Sequence, residues 1–353
     1  MSSETIELTE LPGFESPEPR QELQPGHFIE RGTHRRLMLF AGRSHPELAH
    51  KIGERLGVDC GEVTLKTFAN GEGYCRFEES IRGADVFLLQ TGSVPVDTHL
   101  MELCFMAQAA KLGSAKRITA VMPLFPYARQ DRKARPREPI SARLVADFLQ
   151  TAGVDRVLTM DLHAGQIQGF FNIPVDHMIA LPLFASHFRS QGLIGSQIVS
   201  VSPDPGRAKM AVKFGEMLDA PFAIMHKTRP EHDTAEVTEV TGRVRGRIAI
   251  IGDDRIDTGG TLIAGARALR EQGAEAVYVF ATHGIFAGDA LERLGEADEV
   301  DAIAVTDTVP IDPLRKPDKV TVVSVSSLLA QTIWNVFSDD SVSAIFAGEN
   351  QLF

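Results

Sequence analysis

The stretch from Arg247 to Gly273, RIAIIGDDRIDTGGTLIAGARALREQG, decides how the chain is read. It begins with an apolar run that ends at Gly252, the pattern of a buried strand. Asp253 and Asp254 follow at once, and Asp257, Thr258, Gly259, Gly260 and Thr261 then open a helical stretch that runs to Gly273. A strand feeding a helix in this way leaves backbone N–H groups unpaired at the positive end of the helix dipole, where an anion binds. Glycines let the backbone approach a phosphate closely. Two adjacent acids at a strand end can accept hydrogen bonds from paired sugar hydroxyls or hold Mg²⁺ through water. No GxxxxGK[ST] occurs and no GxGxxG opens a strand-to-helix turn, which excludes a P-loop and a dinucleotide fingerprint. Taken alone, the loop also reads as an acidic turn with helix-capping Asp and Thr.

The same rhythm extends in both directions. In the first half, strands are predicted at LMLFA from Leu37, ADVFLLQ from Ala84, RITAVMP from Arg117 and RVLTMD from Arg156. Helices fall between them: PELAHKIGERLG from Pro46, THLMELCFMAQAAKLG from Thr98 and SARLVADFLQTAG from Ser141. Gly113 and Gly153 close the last two as helix stops. In the second half the strands are QIVSVS from Gln197, FAIMH from Phe222, RIAIIG from Arg247 and AVYVFAT from Ala276, and a helix AVKFGEML begins at Ala211. The amphipathic stretch SSLLAQTIWNVF from Ser326 places Trp334 in a core, and DSVSAIF follows it. Alternation of this kind predicts an α/β fold with mainly parallel sheets flanked by helices.

A chain of 353 residues exceeds the usual size of one core, so two domains are expected. Residues 1–36 hold seven acids and four Lys/Arg without sustained periodicity, and are expected to form a disordered extension. Their net charge of −3 leaves −8 of the total −11 on the body. That balance argues against general nucleic-acid or anionic-membrane binding, so phosphate chemistry must rest on local sites. Cys60, Cys75 and Cys104 have no metal-ligand spacing and form no disulfide framework, which points to a reducing, cytoplasmic compartment. No apolar run approaches the roughly 18 residues of a membrane span, and no basic-then-apolar leader is present.

The loop from Asp253 to Thr261 resembles the phosphoribosyl pyrophosphate (PRPP) binding loop shared by type I phosphoribosyltransferases and PRPP synthetases. Four further segments separate the two. YARQDRKARPREPIS from Tyr127, DLHAGQIQGFF from Asp161, SPD from Ser202 and KTR from Lys227 resemble ribose-phosphate pyrophosphokinase (PRPP synthetase) motifs in order and approximate spacing. FANGE from Phe68 and EESIRG from Glu78 extend the match, which covers Leu37 to about Phe346.

The resemblance implies two tandem type I phosphoribosyltransferase-like domains, residues 37–177 with 332–353 and residues 178–331. It implies ATP and ribose 5-phosphate as substrates, Mg²⁺ as cofactor, and a homo-oligomer, a hexamer, with active sites shared between subunits. Lys227 and Arg229 would be catalytic, on a flap over the reacting phosphates, with Arg229 also on ribose 5-phosphate. Phe68, Asn70, Gly71, Glu72, Arg129, Gln130 and His163 would bind ATP. Asp253 and Asp254 would face the ribose hydroxyls, and Asp257, Thr258, Gly259, Gly260 and Thr261 would cradle the 5-phosphate. His163 and Asp204 would meet the metal, and Ser80, Arg82, Ser341 and Ser343 a regulatory phosphate. The chain departs from the family pattern at Arg255, where an apolar residue is usual, at Arg207 in place of a second glycine, at Met210 in place of an arginine, and at Thr228. An unpaired charge at position 255 must leave the core or find a partner. A phosphoribosyltransferase and a non-catalytic homologue that regulates an active synthetase remain as alternatives.

Overall fold

The computed structural model describes residues 35–228 and 237–346. The acidic extension before residue 35 and Arg229 lie outside them. β1 (Leu37–Ala41) leads to α1 (Pro46–Leu56), which starts with Pro46 after the N-cap His45 and stops at Gly57 in the left-handed region. β2 (Val63–Thr67) and β3 (Gly73–Phe77) form an antiparallel hairpin that the apolar pattern does not announce. Then come β4 (Asp85–Leu89), α2 (Val96–Leu112), β5 (Arg117–Met122), α3 (Ser141–Ala152), β6 (Arg156–Met160) and β7 (Val175–Met178). Five of these strands make a parallel sheet in the order β1-β4-β5-β6-β7.

The second half contains α4 (Leu181–Ser190), β8 (Ile198–Ser202), α5 (Ala208–Met217), β9 (Phe222–Thr228), β10 (Val237–Thr241) and β11 (Ile248–Ile256). After them come α6 (Gly260–Glu271), β12 (Ala276–Gly284), α7 (Ala290–Glu296), β13 (Ala302–Thr306), β14 (Val320–Val323) and α8 (Ser326–Ser338). The sheet order is β10-β9-β8-β11-β12-β13-β14, and only β10 runs antiparallel to its neighbour. Every residue of β4 and of β8 is buried, as central strands covered on both faces require.

One apolar cluster joins the two sheets. It runs from Leu39, Phe87 and Leu158 through Phe184 and Phe188 of α4 to Ile250 and Phe280, with Leu329 and Ile333 of α8 against Leu48 and Ile52 of α1. The Phe280 ring lies 4.7 Å from that of Phe184 and 4.5 Å from that of Phe214. It also lies against Gly252, where a Cβ would come within 2.4 Å of the ring. Glycine is needed there for packing, one residue before the acid pair.

Three expectations change. Trp334 is not in the core: α8 turns Leu329, Ile333 and Val336 inward, while Trp334 is 36% exposed at the helix edge beside Phe337. β11 does not end at Gly252 but continues through both acids to Ile256, because β12 extends to pair with it, Asp253 opposite Ala281 and Arg255 opposite His283. β9 likewise runs past His226 to Thr228, with Lys227 opposite Thr238 of β10. Among the described residues no helix is long and apolar enough to cross a membrane.

Candidate active site

The site lies where the C-terminal ends of β6, β8 and β11 meet, the place where open parallel sheets hold ligands. A cavity of about 430 Å³ is walled by Asp161 and His163 after β6, Asp204 and Arg207 after β8, and Asp253 and Asp254 of β11. Residues separated by up to 93 positions thus face one space.

The acid pair is held by three segments. Arg207 Nη2 lies 2.7 Å from Asp254 Oδ2, and its Nε lies 3.6 Å from Asp253 Oδ1. His163 Nδ1 lies 2.8 Å from the same Asp254 oxygen. Arg207 Nη2 lies 3.1 Å from the same Nδ1, so His163, Arg207 and Asp254 meet at one point. Burial works against ionised Asp254, but the hydrogen bond from His163 and the charge of Arg207 outweigh it and hold this carboxyl well below the usual range. Asp253 moves the other way, pushed well up by burial and by the charge of Asp254 beside it.

The floor is more deeply buried. Asp161 accepts from the Thr282 hydroxyl at 2.6 Å and from the Ala180 amide at 2.9 Å, and burial raises its pKa to about 6. His177 accepts the Leu162 amide at 2.9 Å on Nε2, and burial lowers its pKa to about 4. His283, also lowered to about 4 by burial, spans Thr308 and the Met160 carbonyl. These neutral histidines lock the end of β6 to β7 and to the end of β12, directly beneath the loop that carries His163.

The loop after β11 is shaped by its glycines. Gly259 caps α6 at φ +72, in the left-handed region, and a Cβ there would approach Leu294 within 2.7 Å. Asp257 precedes it, and two arginines share its carboxylate. Arg255 contacts Oδ2 at 2.7 Å and Oδ1 at 2.8 Å, and Arg129 reaches Oδ2 at 2.8 Å. The charge at position 255 has therefore found its partner two residues along the chain, just past the end of β11.

Arg129 and Gln130 line a second cavity of about 750 Å³ between the two sheets, on the far side of Arg255 from His163. The chain brings Arg129 to Asp257, and Gln130 accepts from the Ser141 hydroxyl at 2.6 Å. Phe68, Asn70, Gly71 and Glu72 form the tip of the β2–β3 hairpin. The Phe68 amide donates to the Glu72 carbonyl at 2.8 Å, and Phe68 is 50% exposed. None of the four lines either cavity. Lys227 stands at the open end of the β9–β10 pair. Ser341 and Ser343 bond to each other at 2.9 Å, and Arg82 donates to Ser114 at 3.2 Å. Arg36 donates to the Ser80 and Arg82 carbonyls, while the adjacent Arg35 pairs with Asp339, which draws both segments to one end of the first sheet.

Among the described residues no group of three or more His, Cys, Asp or Glu is gathered to hold a metal. The donor set at Asp204 fits an ion that arrives on phosphates: its exposed carboxylate accepts the Arg207 amide at 3.1 Å and lines the cavity. Mg²⁺ is commonly held by one or two carboxylates, substrate phosphates and water. The sequence reading missed Lys209 and Arg132, two cations on the cavity wall. Arg132 sits in the basic run from Arg129 to Arg137, which a solvated face would equally explain. Cys60, Cys75 and Cys104 are unpaired, and burial pushes the Cys75 and Cys104 thiols up to about 11, so neither is a ready nucleophile.

Known proteins resemble this chain over most of its length. Residues 37–153 match the N-terminal domain of ribose phosphate pyrophosphokinase, and residues 230–347 match the phosphoribosyl synthetase-associated domain. The ribose-phosphate pyrophosphokinase of Fusobacterium nucleatum is 47% identical over 310 residues, 88% of this chain and 98% of its own length. That of Corynebacterium efficiens is 48% identical over 320 residues, 90% of this chain and 98% of its own. The crystal structure of phosphoribosylpyrophosphate synthetase from Mycobacterium smegmatis superimposes with a TM-score of 0.82 at 47% identity, covering 86% of this chain and all of that one. With both halves matched and nearly the full length of these relatives spanned, the chain belongs to the ribose-phosphate pyrophosphokinase family.

Proposed function

We propose that this chain is an ATP-dependent ribose-phosphate diphosphokinase that makes phosphoribosyl pyrophosphate and AMP for nucleotide biosynthesis. The observation that carries the reading is the meeting of the acid pair on β11 with His163 and Asp204 across one cavity. A sugar diol has two carboxylates to donate to, and the free amides at the start of α6 lie a few residues further along the same loop for its 5-phosphate. The C1 hydroxyl then faces the space in which a triphosphate fits.

In the reaction, the C1 oxygen forms a bond to the β-phosphorus of ATP. The bond from that phosphorus to the oxygen bridging it to the α-phosphate breaks, AMP leaves, and the hydroxyl proton is released. The protein's task is to align the partners and to offset charge on the transferring group. Lys209 and Arg132 stand on the cavity wall for this purpose, and Lys227, near the end of β9, and Arg229, next after that strand in sequence, are assigned to it. Asp204 and His163 would hold Mg²⁺ carried on the ATP phosphates, where it would supply further neutralisation. Arg129 and Gln130 are assigned to the nucleotide.

The adenine contacts Phe68, Asn70, Gly71 and Glu72 are assigned to a neighbouring subunit of a homo-oligomer, a hexamer by resemblance, working in the cytoplasm. Ser80, Arg82, Ser341 and Ser343 are assigned to a regulatory phosphate. Incubating the protein with Mg²⁺, ATP and ribose 5-phosphate and separating the adenine nucleotides tests the activity. AMP formed in step with phosphoribosyl pyrophosphate is expected. ADP as the product, or no turnover with any of several divalent metals, overturns the reading.

A further inference from the structure

Two carboxylates side by side at a strand end need a counter-charge, since each disfavours ionisation of the other. In the family pattern position 207 is glycine and position 210 is arginine; here position 210, on the wall of the same cavity, is methionine and offers none. Here position 207 is arginine, with a side chain only 15% exposed, against both acids.

The turn that presents it is well anchored. Pro205–Arg207 forms a single tight turn in which the Arg207 amide donates to Asp204, at 3.1 Å to Oδ1 and 3.2 Å to the carbonyl. α5 begins at the next residue, so the backbone below the guanidinium is fixed on both sides. The guanidinium contacts converge on Oδ2 of Asp254 and Oδ1 of Asp253. A planar fork can serve two carboxylates from one side in this way, and arginine stays charged at every working pH.

We propose that Arg207 is a built-in counter-cation of the acid pair, a positioning residue that lets this chain hold ribose 5-phosphate without a divalent cation at Asp253 and Asp254. The inference rests on the reading of that pair as the sugar-hydroxyl site.

Calorimetric titration of ribose 5-phosphate, without ATP, into the full chain tests it, once with a metal chelator and once with millimolar Mg²⁺. The wild type is expected to change its Kd by less than about threefold between the two buffers. Arg207→Gly should bind about ten- to a hundredfold more weakly in chelator, the worth of one charged hydrogen bond, and should recover with Mg²⁺. Arg207→Lys should fall between them, and its smaller change keeps the test alive if the glycine variant melts early. Equal binding by Arg207→Gly and wild type in chelator overturns the proposal. Tighter binding by the variant also overturns it, because the guanidinium would then occupy the place of the sugar. A wild type that binds only with Mg²⁺ overturns it as well. A wild type that binds ribose 5-phosphate in neither buffer brings down the sugar-site reading itself, an outcome separate from the other three.

Discussion

The end of β11 and the tip of the β2–β3 hairpin are both assigned to substrate, yet they are built in opposite ways. At the β11 end, Arg207 pairs with Asp254 and Arg255 with Asp257, and Gly252 and Gly259 are pressed against Phe280 and Leu294. At the hairpin tip, half of the Phe68 surface faces solvent, and Asn70 caps only its own turn, Oδ1 to the Glu72 amide at 3.1 Å. One region is organised before any ligand arrives. The other presents a half-exposed aromatic ring, edge-on to Tyr74 at 5.6 Å, and exposed polar groups. Under the proposed sharing of sites between copies, the first would be the rigid half in each subunit and the second the projecting half for the next.

The largest effect is expected from breaking the rigid half. Asp254→Ala leaves Arg207 and His163 without their common partner and removes a sugar contact. Turnover should fall by about 10²-fold or more, the scale of losing a preorganised electrostatic group. Affinity for ribose 5-phosphate should fall while ATP affinity changes little, which separate calorimetric titrations decide. Equal losses for both substrates would mean that the acid pair is structural, and the two regions would not differ as argued.

Next in size is the projecting half. Phe68→Ala with Glu72→Ala should lower activity about tenfold or more through lost stacking on the nucleotide, with melting temperature nearly unchanged because the tip packs on so little. Mixing this variant with Asp254→Ala should restore activity. Randomly assembled copies bring an intact hairpin to an intact acid pair in about a quarter of sites. No recovery, with subunit exchange confirmed by mass, would put both regions in one chain's site.

How far the sequence reveals each region follows from the same contrast. Strands such as LMLFA and RITAVMP are legible because the run is mainly apolar and carries buried side chains on both faces. The hairpin strands VTLKT and GYCRF are half-buried or exposed throughout, so no apolar contrast marks them. The strand character of Asp253–Ile256 is supplied by β12 across the sheet, which no local pattern displays. The acid pair and the glycine loop are contiguous and legible as chemistry. Their partner Arg207 is some fifty residues away, reads as a departure from the family pattern, and gains meaning only when β8 and β11 lie side by side. Trp334 shows the opposite failure, since an amphipathic helix does not say which residue at the edge of its stripe is covered.

A smaller change is expected at Arg255, which belongs to the rigid half but faces away from the sugar. Arg255→Met restores the apolar residue usual in the family and removes the bidentate grip on Asp257, leaving Arg129 as that carboxylate's remaining arginine. A partly exposed ion pair contributes about 1 kcal/mol or less. The Michaelis constant for ribose 5-phosphate should therefore rise only a few-fold with turnover held. A hundredfold loss of turnover would instead mean that Arg255 touches reacting groups.

The last expectation concerns acid and leaves activity near neutral pH untouched. His177 and His283 are buried beneath the rigid half with pKa values lowered to about 4. In the unfolded chain each would titrate near 6.5, so between these values the unfolded state binds protons that the folded state refuses. Stability contributed by the neutral rings is complete above about pH 6.5 and is lost as pH falls toward 4. Asp161 opposes them, because a carboxyl raised to about 6 takes up a proton on folding over much of the same range, so it cancels part of the loss. His283→Gln removes one of the two histidines. The drop in unfolding free energy from pH 7 to pH 5, followed by urea titration, should shrink by about 2 kcal/mol in the variant, whatever its stability at pH 7. The same drop should be unchanged by Phe68→Ala with Glu72→Ala, since the hairpin tip holds no buried histidine. If the hairpin variant also flattens the acid response, or His283→Gln does not, then proton uptake on acid unfolding is not centred beneath the β11 end, and the rigid half owes its order to the ion pairs above it rather than to the histidines below.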